Sequence, residues 1–441
     1  MTSAPFNHIA FIPGPTWSHV RPAIKTSLRM VEKFEDLFIS LFVFDSEVPR
    51  ATEYLDDQSS TLSTRVRIIV ASSSGEPIPE ISLLNVVDLF VYLEKCFELW
   101  ITKELQAAAS VLINDRLVNK PSWIIEDQQN GGVSLACKPH LFCFQIISEM
   151  NPSRHGSKES GHGGRVFENI AQRQDISFDN APISASALSS AFSKPITPFL
   201  IGPSVDVESA PNHPDSDPTV TKFLDRAYAE KGAHSVIYVA FGTIYFPPSS
   251  SISHLTTILN EVANSGFRFI LSLSNKKDKV DQSWMDTQIQ AGNAIFPKWT
   301  NQTAVLDHPA IHYFLTHSGW NSVIEALVRG VPMICWPFAS DHPTNIMHIA
   351  NVHDCGFELL QVRTGPAKST AYQNGQDIEI VGTDDAVGRE MKQILELSKG
   401  PRGEHQRVNA RLLGKVISDS LEGGGSGDQS LEKFGKVLGL L

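Results

Sequence analysis

Cysteine is scarce in this chain. There are five in 441 residues, an odd number, with no C-x-x-C pair and no His/Cys cluster at zinc spacing. Neither a disulfide framework nor a metal site is expected. Long hydrophobic runs are missing too, since no stretch offers the roughly 18 uninterrupted apolar residues of a membrane-spanning helix. The opening MTSAPFNHIAFIPGP has no basic region and is broken by Pro13 and Pro15 before it reaches signal-peptide length. Positive charge is in deficit: 37 Lys plus Arg stand against 48 Asp plus Glu, a net charge of −11, which repels nucleic-acid backbones. These absences predict a cytoplasmic protein with no transmembrane segment and no nucleic-acid partner. What remains, 41% hydrophobic and 19% charged residues, is the composition of a soluble globular protein, and the length suits two or three domains.

Short apolar runs alternate with helix-length stretches, the pattern of an α/β protein with parallel sheets. HIAFIP, LFISLFVF, VRIIVAS, SWIIED and FCFQII read as buried strands of an N-terminal domain, residues 1–200. Between the third and fourth, the segment from Leu83 to Ile113 keeps apolar residues at helical spacing and reads as one or two core helices. Residues 148–193 turn to Ser, Gly, Asn and His, as a loop over an acceptor site would. A Pro/Asp/Ser-rich linker at 201–218 precedes a second α/β series, residues 219–422, with strands in SVIYVAFG, FRFILSLS, IHYFLTHS and VPMICWPF. Residues 423–441 read as a Gly/Ser hinge and an amphipathic helix that crosses back to the N-terminal domain.

The run from Phe314 to Asn345 carries the densest chemistry. A strand ends in a turn holding His317, Ser318 and Gly319, and Trp320, Asn321, Ser322 and Glu325 open a helix. Unpaired N–H groups, the positive end of a helix dipole and the Asn321 and Ser322 side chains then meet at one spot, which suits a phosphate. Glu325, one turn further on, can accept from the hydroxyls of a ribose. Upstream, Trp299 offers an indole face to a base and Gln302 an amide to its polar edge.

The stretch from Trp299 to His342 resembles the donor-binding signature of the UDP-dependent glycosyltransferases of small molecules. That resemblance implies the GT-B fold, two facing Rossmann-like domains with parallel sheets. It implies that Trp299 stacks on uracil, Gln302 reaches the uridine and Glu325 holds the ribose. His317, Asn321 and Ser322, in the H-x-G-W-N-S run with Gly319 and Trp320, would meet the diphosphate, and Asp341 and His342 the sugar. Thr243, in VAFGT, stands where the family has a phosphate-loop hydroxyl. Two residues depart from the pattern. Ser318 replaces a common Cys, and His342 stands where glucosyl-transferring members usually carry Gln and some galactosyl-transferring members His. UDP-glucose is the expected donor, with UDP-galactose its rival.

After HIAFIP, the segment GPTWSHVRPAI places His19 in a loop ahead of a helix starting near Arg21 and Pro22. That is the ligand-facing edge of an open α/β sheet, and the segment resembles the family's G-H-x-x-P with Ser18 for Gly. SWIIED ends at the same edge, and strand alternation points Glu126 and Asp127 to opposite faces, so one of them can stand behind the imidazole. The resemblance favours Asp127. The implied reaction is metal-free, cofactor-free, inverting transfer of a hexose from UDP-sugar to a hydroxyl, with His19 as base. The acceptor would be a lipophilic small molecule such as a phenol, sterol or terpenoid, received by a pocket between about Glu80 and Pro195. The alternatives are a UDP-sugar epimerase of the same architecture and a non-catalytic UDP-sugar-binding protein.

Overall fold

The computed structural model describes residues 4–72, 86–106, 110–127, 142–146, 199–207, 218–243, 245–274, 279–338, 341–364, 370–373 and 376–441. They fall into two units, one built from residues 4–146, 199–205 and 420–441, the other from 206–419. The expected acceptor loop at 148–193 and most of the linker lie outside the described residues.

The first unit runs β1 (Phe6–Ile12), α1 (Trp17–Lys33), β2 (Leu37–Phe44), α2 (Val48–Asp56), α3 (Ser60–Ser63), β3 (Val66–Ala71), α4 (Val86–Gln106), β4 (Ser110–Ile113), β5 (Arg116–Asp127) and β6 (Phe142–Ile146). Its strands lie in the order β3-β2-β1-β5-β4, with β6 also on β5, and only β4–β5 is antiparallel. β2 is buried at all eight positions, as a strand with helices on both faces must be. Alternation divides the residues of β1 and β2. Ile9, Phe11, Ile39, Leu41 and Val43 pack with α1 and α2, while Ala10, Ile12, Phe42 and Phe44 pack against Leu89, Leu93, Phe97 and Ile101 of α4. The apolar side of α4 is therefore core.

Two local expectations are corrected. The segment up to Ile113 is helical only as far as Gln106 and ends in strand β4. Asn114 and Asp115 both take positive φ, 49° and 59°, which a two-residue hairpin turn demands and which brings Ile113 opposite Arg116. Helix α1 begins at Trp17, so His19 lies in its first turn and not in a loop. Extended Thr16 supplies the carbonyl that accepts from the N–H groups of His19 and Val20, both at 2.9 Å, and Pro22 sits inside the helix.

The second unit continues with α5 (Pro218–Lys231), β7 (Val236–Ala240), α6 (Ile252–Asn264), β8 (Arg268–Leu271), α7 (Gln282–Gln290), β9 (Ala294–Ile295), α8 (Gln302–Asp307), β10 (Ile311–Thr316), α9 (Trp320–Val328), β11 (Met333–Cys335), α10 (His342–Ile346), β12 (Gly356–Glu358), the hairpin β13 (Thr370–Gln373) and β14 (Gln376–Glu379), α11 (Asp384–Ser398) and α12 (Pro401–Leu421). The main sheet is parallel throughout, in the order β12-β11-β10-β7-β8-β9. This is the doubly wound Rossmann order, and the chain reverses its winding direction between β7 and β10. Among the described residues no helix is long and apolar enough to cross a membrane.

The last helix, α13 (Ser426–Leu438), belongs to the first unit. Leu431, Phe434 and Leu438 join the core on the α1 side, Lys33 pairs with Asp428 at 2.7 Å, and the Trp123 indole N–H donates to the Leu438 carbonyl at 3.2 Å. A Cβ at Gly435 would lie 2.3 Å from the ring of Phe34, so close approach requires glycine there. Gly435→Val is expected to destabilise the first unit by about 1–3 kcal/mol through overpacking, read as a lower urea midpoint. An unchanged midpoint would mean that α13 does not dock on Phe34.

Candidate active site

Strands β7 and β10 are neighbours, paired from Val236 and Ile311 to Ala240 and Thr316. The turns leaving their carboxyl ends therefore lie side by side. From β7 come Gly242, at φ 74°, and exposed Thr243. From β10 come His317, then Ser318 at φ 65°, then Gly319 as N-cap of α9. The His317 imidazole lies between the two glycines. A Cβ on Gly242 would stand 2.9 Å from its Cε1 and Nε2, and one on Gly319 2.6 Å from Nε2. Burial, and then the neighbouring His342, hold the His317 pKa well below the usual histidine value, so the ring is neutral at pH 7. Half-buried Trp320 and Asn321 and buried Ser322 form the first turn of α9.

His342, the first residue of α10, meets His317 edge to face at 4.8 Å between ring centroids and Tyr245 at 4.6 Å. Burial lowers its pKa to about 4. It too is neutral, so the 3.8 Å approach of Nε2 to Asp341 is not an ion pair at pH 7. The Phe338 N–H donates to Nδ1 at 3.4 Å, a long bond that assigns the proton to Nε2. The Asn345 amide donates to Asp341 at 2.5 Å and to the Ser318 carbonyl at 2.9 Å. It ties the start of α10 to the turn before α9.

A third group gathers around Gln302. Asn301 caps α8 by accepting from the Ala304 N–H, which sets Gln302 as the first helical residue. Its amide donates to Glu325 at 2.7 Å and to Ser322 at 3.2 Å. Tyr238 bonds Thr300 at 2.7 Å and reaches Gln302 at 3.5 Å. Glu325 is 2% exposed, whereas Trp299 is 39% exposed. The structure thus links Gln302, Ser322 and Glu325 directly, and His317 with Asp341 and His342 through Asn345 and ring contact. Trp336, by contrast, is a core residue.

In the first unit, the β1 register sets Ile12 beside Glu126, so β1 and the end of β5 reach the same sheet edge. The half-buried His19 ring rests on Gly14, where a Cβ would lie 2.9 Å from its Cγ. The side chains of Glu126 and Asp127 lie outside the described part of the chain. Sequence reasoning passed over Gly14, Gly242, Tyr238, Thr300, Tyr245 and Asn345. The two glycines had a signal, since each ends an apolar strand just before a site residue.

The fold defines an α/β protein with two Rossmann-like units, and in the second the sequence-predicted donor residues gather at the carboxyl edge of the sheet. The family model of UDP-glucuronosyl and UDP-glucosyl transferases matches residues 186–364. Anthocyanidin 3-O-glucosyltransferase 7 of Manihot esculenta is 31% identical over 260 residues, 58% of this chain and 85% of that protein. UDP-glycosyltransferase eriJ of Hericium erinaceus is 31% identical over 193 residues, 44% of this chain, and the match spans only 37% of eriJ. The structure of Medicago truncatula UGT71G1, complexed with UDP-glucose, shares the fold with a TM-score of 0.65 at 18% identity, covering 98% of each chain. The chain belongs to the UDP-glycosyltransferase family.

Two outcomes follow from the geometry. Among the described residues the buried Ser318 hydroxyl has only the Cys335 thiol, a weak acceptor, to bond, so Ser318→Cys should stabilise the second unit by about 1 kcal/mol, measured by urea unfolding. A loss of stability would show that the hydroxyl is satisfied. Because the folded pKa of His342 lies below the unfolded value of 6.5, the unfolded chain binds more protons between those values. Its contribution to stability is complete above pH 6.5 and is lost towards pH 4, at up to about 1.4 kcal/mol per pH unit. His342→Gln should flatten the pH dependence of unfolding in that window by one group's share. An identical slope would place the titration elsewhere.

Proposed function

We propose that the protein transfers a hexose, with inversion, from a UDP-sugar to a hydroxyl of a lipophilic small molecule in the cytoplasm. The observation that carries this reading is the linked set Gln302–Ser322–Glu325, with His317 in the turn before the same helix, at the carboxyl edge of the sheet where its winding reverses. Ligands of open α/β sheets bind at such a point.

In this reading Trp299 stacks on the uracil, Gln302 holds the uridine, and Glu325 accepts from the ribose hydroxyls. Thr243, His317, Asn321 and Ser322 meet the diphosphate together with the N-terminus of α9, approached closely because Gly242 and Gly319 have no side chains. Trp320 walls the first turn. Asp341 and His342 hold the sugar, with UDP-glucose the favoured donor and UDP-galactose the one His342 brings into contention. His19, oriented by Asp127, takes the proton from the acceptor hydroxyl as that oxygen attacks the anomeric carbon. The anomeric C–O bond breaks as the new one forms, and the pair of electrons leaves on the β-phosphate of UDP. Donors fixed in advance around that phosphate stabilise the charge, so the reading requires neither metal nor cofactor. The relative from Manihot esculenta is named for glucosylating an anthocyanidin, which supports a phenolic acceptor, with sterols and terpenoids as rivals.

The test is UDP release from the purified protein given UDP-glucose, UDP-galactose or UDP-glucuronate with phenol, sterol and terpenoid panels. A glycoside and UDP should appear together, and His19→Ala should lose about 10²- to 10⁴-fold in kcat, the range for a general base. Sugar binding with no acceptor-dependent UDP release, unaffected by His19→Ala, would sink the transferase reading in favour of an epimerase or a UDP-sugar-binding protein.

A further inference from the structure

Tyr245, in the loop after β7, has no part in the donor signature. Its ring is one end of an aromatic column that begins in the core. Buried Trp336 stacks on Phe338 at 5.8 Å and 11°, and Phe241 meets Phe338 edge on at 5.6 Å. Phe338 stacks on Tyr245 at 6.1 Å and 25°, and Tyr245 meets the His342 ring at 4.6 Å and 74°. His317, 4.8 Å away at 88°, closes the other side of that imidazole.

We propose that Tyr245 is a positioning residue for the donor sugar: by gripping the imidazole of His342 it fixes the residue that reads the sugar, so sugar discrimination depends on Tyr245. The inference rests on the reading of Asp341 and His342 as the sugar-binding pair. His342 is the first residue of a helical stretch that runs through Ile346 into a π-helical turn, Met347–Val352, and its side chain is oriented by ring contacts with Tyr245 and His317 and by the long bond from Phe338. Edge-to-face contact needs a ring at position 342, which the amide of a glutamine lacks, so the column suits this chain's departure from the family pattern. Rigid support of this kind converts a weak contact into a discriminating one.

The same packing keeps water from the ring. The titratable groups facing His342 among the described residues are His317 from the β10–α9 turn, Tyr245 from the β7 loop and Asp341 before its own helix. His317 is itself neutral, and desolvation is what lowers the pKa of His342. Opening the Tyr245 side to water therefore raises that pKa towards its ordinary value of about 6.5.

The experiment compares equilibrium binding of UDP, UDP-glucose and UDP-galactose by calorimetry in the full-length protein and in Tyr245→Phe, Tyr245→Leu, Tyr245→Ala and His342→Ala. Removing the ring should weaken UDP-sugar binding roughly three- to tenfold, the size of such ring contacts, and shift the glucose-to-galactose ratio. UDP binding should hold within about twofold, since UDP carries no sugar to position. Tyr245→Phe, which keeps the ring, should restore the wild-type values. In Tyr245→Ala, UDP-sugar affinity should gain a step between pH 5 and 6.5 that the wild type lacks. Tyr245→Leu decides the matter should Tyr245→Ala not fold. Equal losses for UDP and UDP-sugars, or no loss for either, overturn the proposal. So does His342→Ala leaving the ratio of UDP-sugar to UDP affinity unchanged, which also removes the parent reading. A His342→Ala effect without a Tyr245 effect removes this inference alone.

Discussion

The approach of one imidazole to two backbones sets the architecture of the second unit's ligand edge. His317 sits between Gly242 and Gly319 with no room for a Cβ on either side. That contact exists only because β7 and β10 are adjacent and parallel, which brings their following turns together. It also explains the backbone conformations on either side. Gly242 takes φ 74°, as glycine does without penalty, and Ser318 is held at φ 65°, which costs a non-glycine residue free energy and persists where surroundings over-determine it. The Asn345 amide on the Ser318 carbonyl is part of that surrounding. From this turn α9 starts, and with it the positions of Asn321, Ser322 and Glu325.

The electrostatics of this edge follow from burial. The proposed reading places a diphosphate at this edge, a group often met by cations, yet the two histidines here are held neutral, His317 by burial and His342, His342 by burial. Arg329, further along the chain after α9, is engaged with Asp307 at 3.1 Å. What is offered to an anion is a helix N-terminus, hydroxyls, an amide and neutral imidazoles, all fixed in place. Dipoles in a low-dielectric setting are effective because they need no reorganisation, and such a site is compatible with a chain of net charge −11.

Much of this was legible in the sequence where the signal was local. The strands showed as β-branched and aromatic runs, and the run from Trp299 to His342 marked residues that the fold does bring together, Gln302 with Ser322 and Glu325, and His317 with His342. Legibility failed where three-dimensional neighbours decide. Tyr238 and Thr300 look like an ordinary strand residue and an ordinary loop residue until the fold brings the face of β7 to the start of α8, where Tyr238 meets Thr300 and Gln302. Tyr245 acquires meaning only from the column behind it. The spacing around Pro22 suggests a first-turn position there, whereas extended Thr16 caps the helix and starts it at Trp17, four residues before Arg21. Strand β4 was read as helix because the Asn114–Asp115 turn that folds it onto β5 is only two residues long.

The histidines at the two ligand edges differ in exposure. A residue that takes a proton during turnover must return it, which deep burial hinders because an imidazole stripped of water is a weak base. His317 and His342, 7% and 2% exposed, are built to keep one protonation state across the neutral range and to act as fixed dipoles. His19 is half-buried, set in the first turn of α1 against a glycine, at an edge it shares with the end of β5. In the proposed reading the same side chain is a geometric element where it is sealed and the proton acceptor where it stays in reach of solvent. That contrast in exposure supports the division of base and donor-binding roles proposed above.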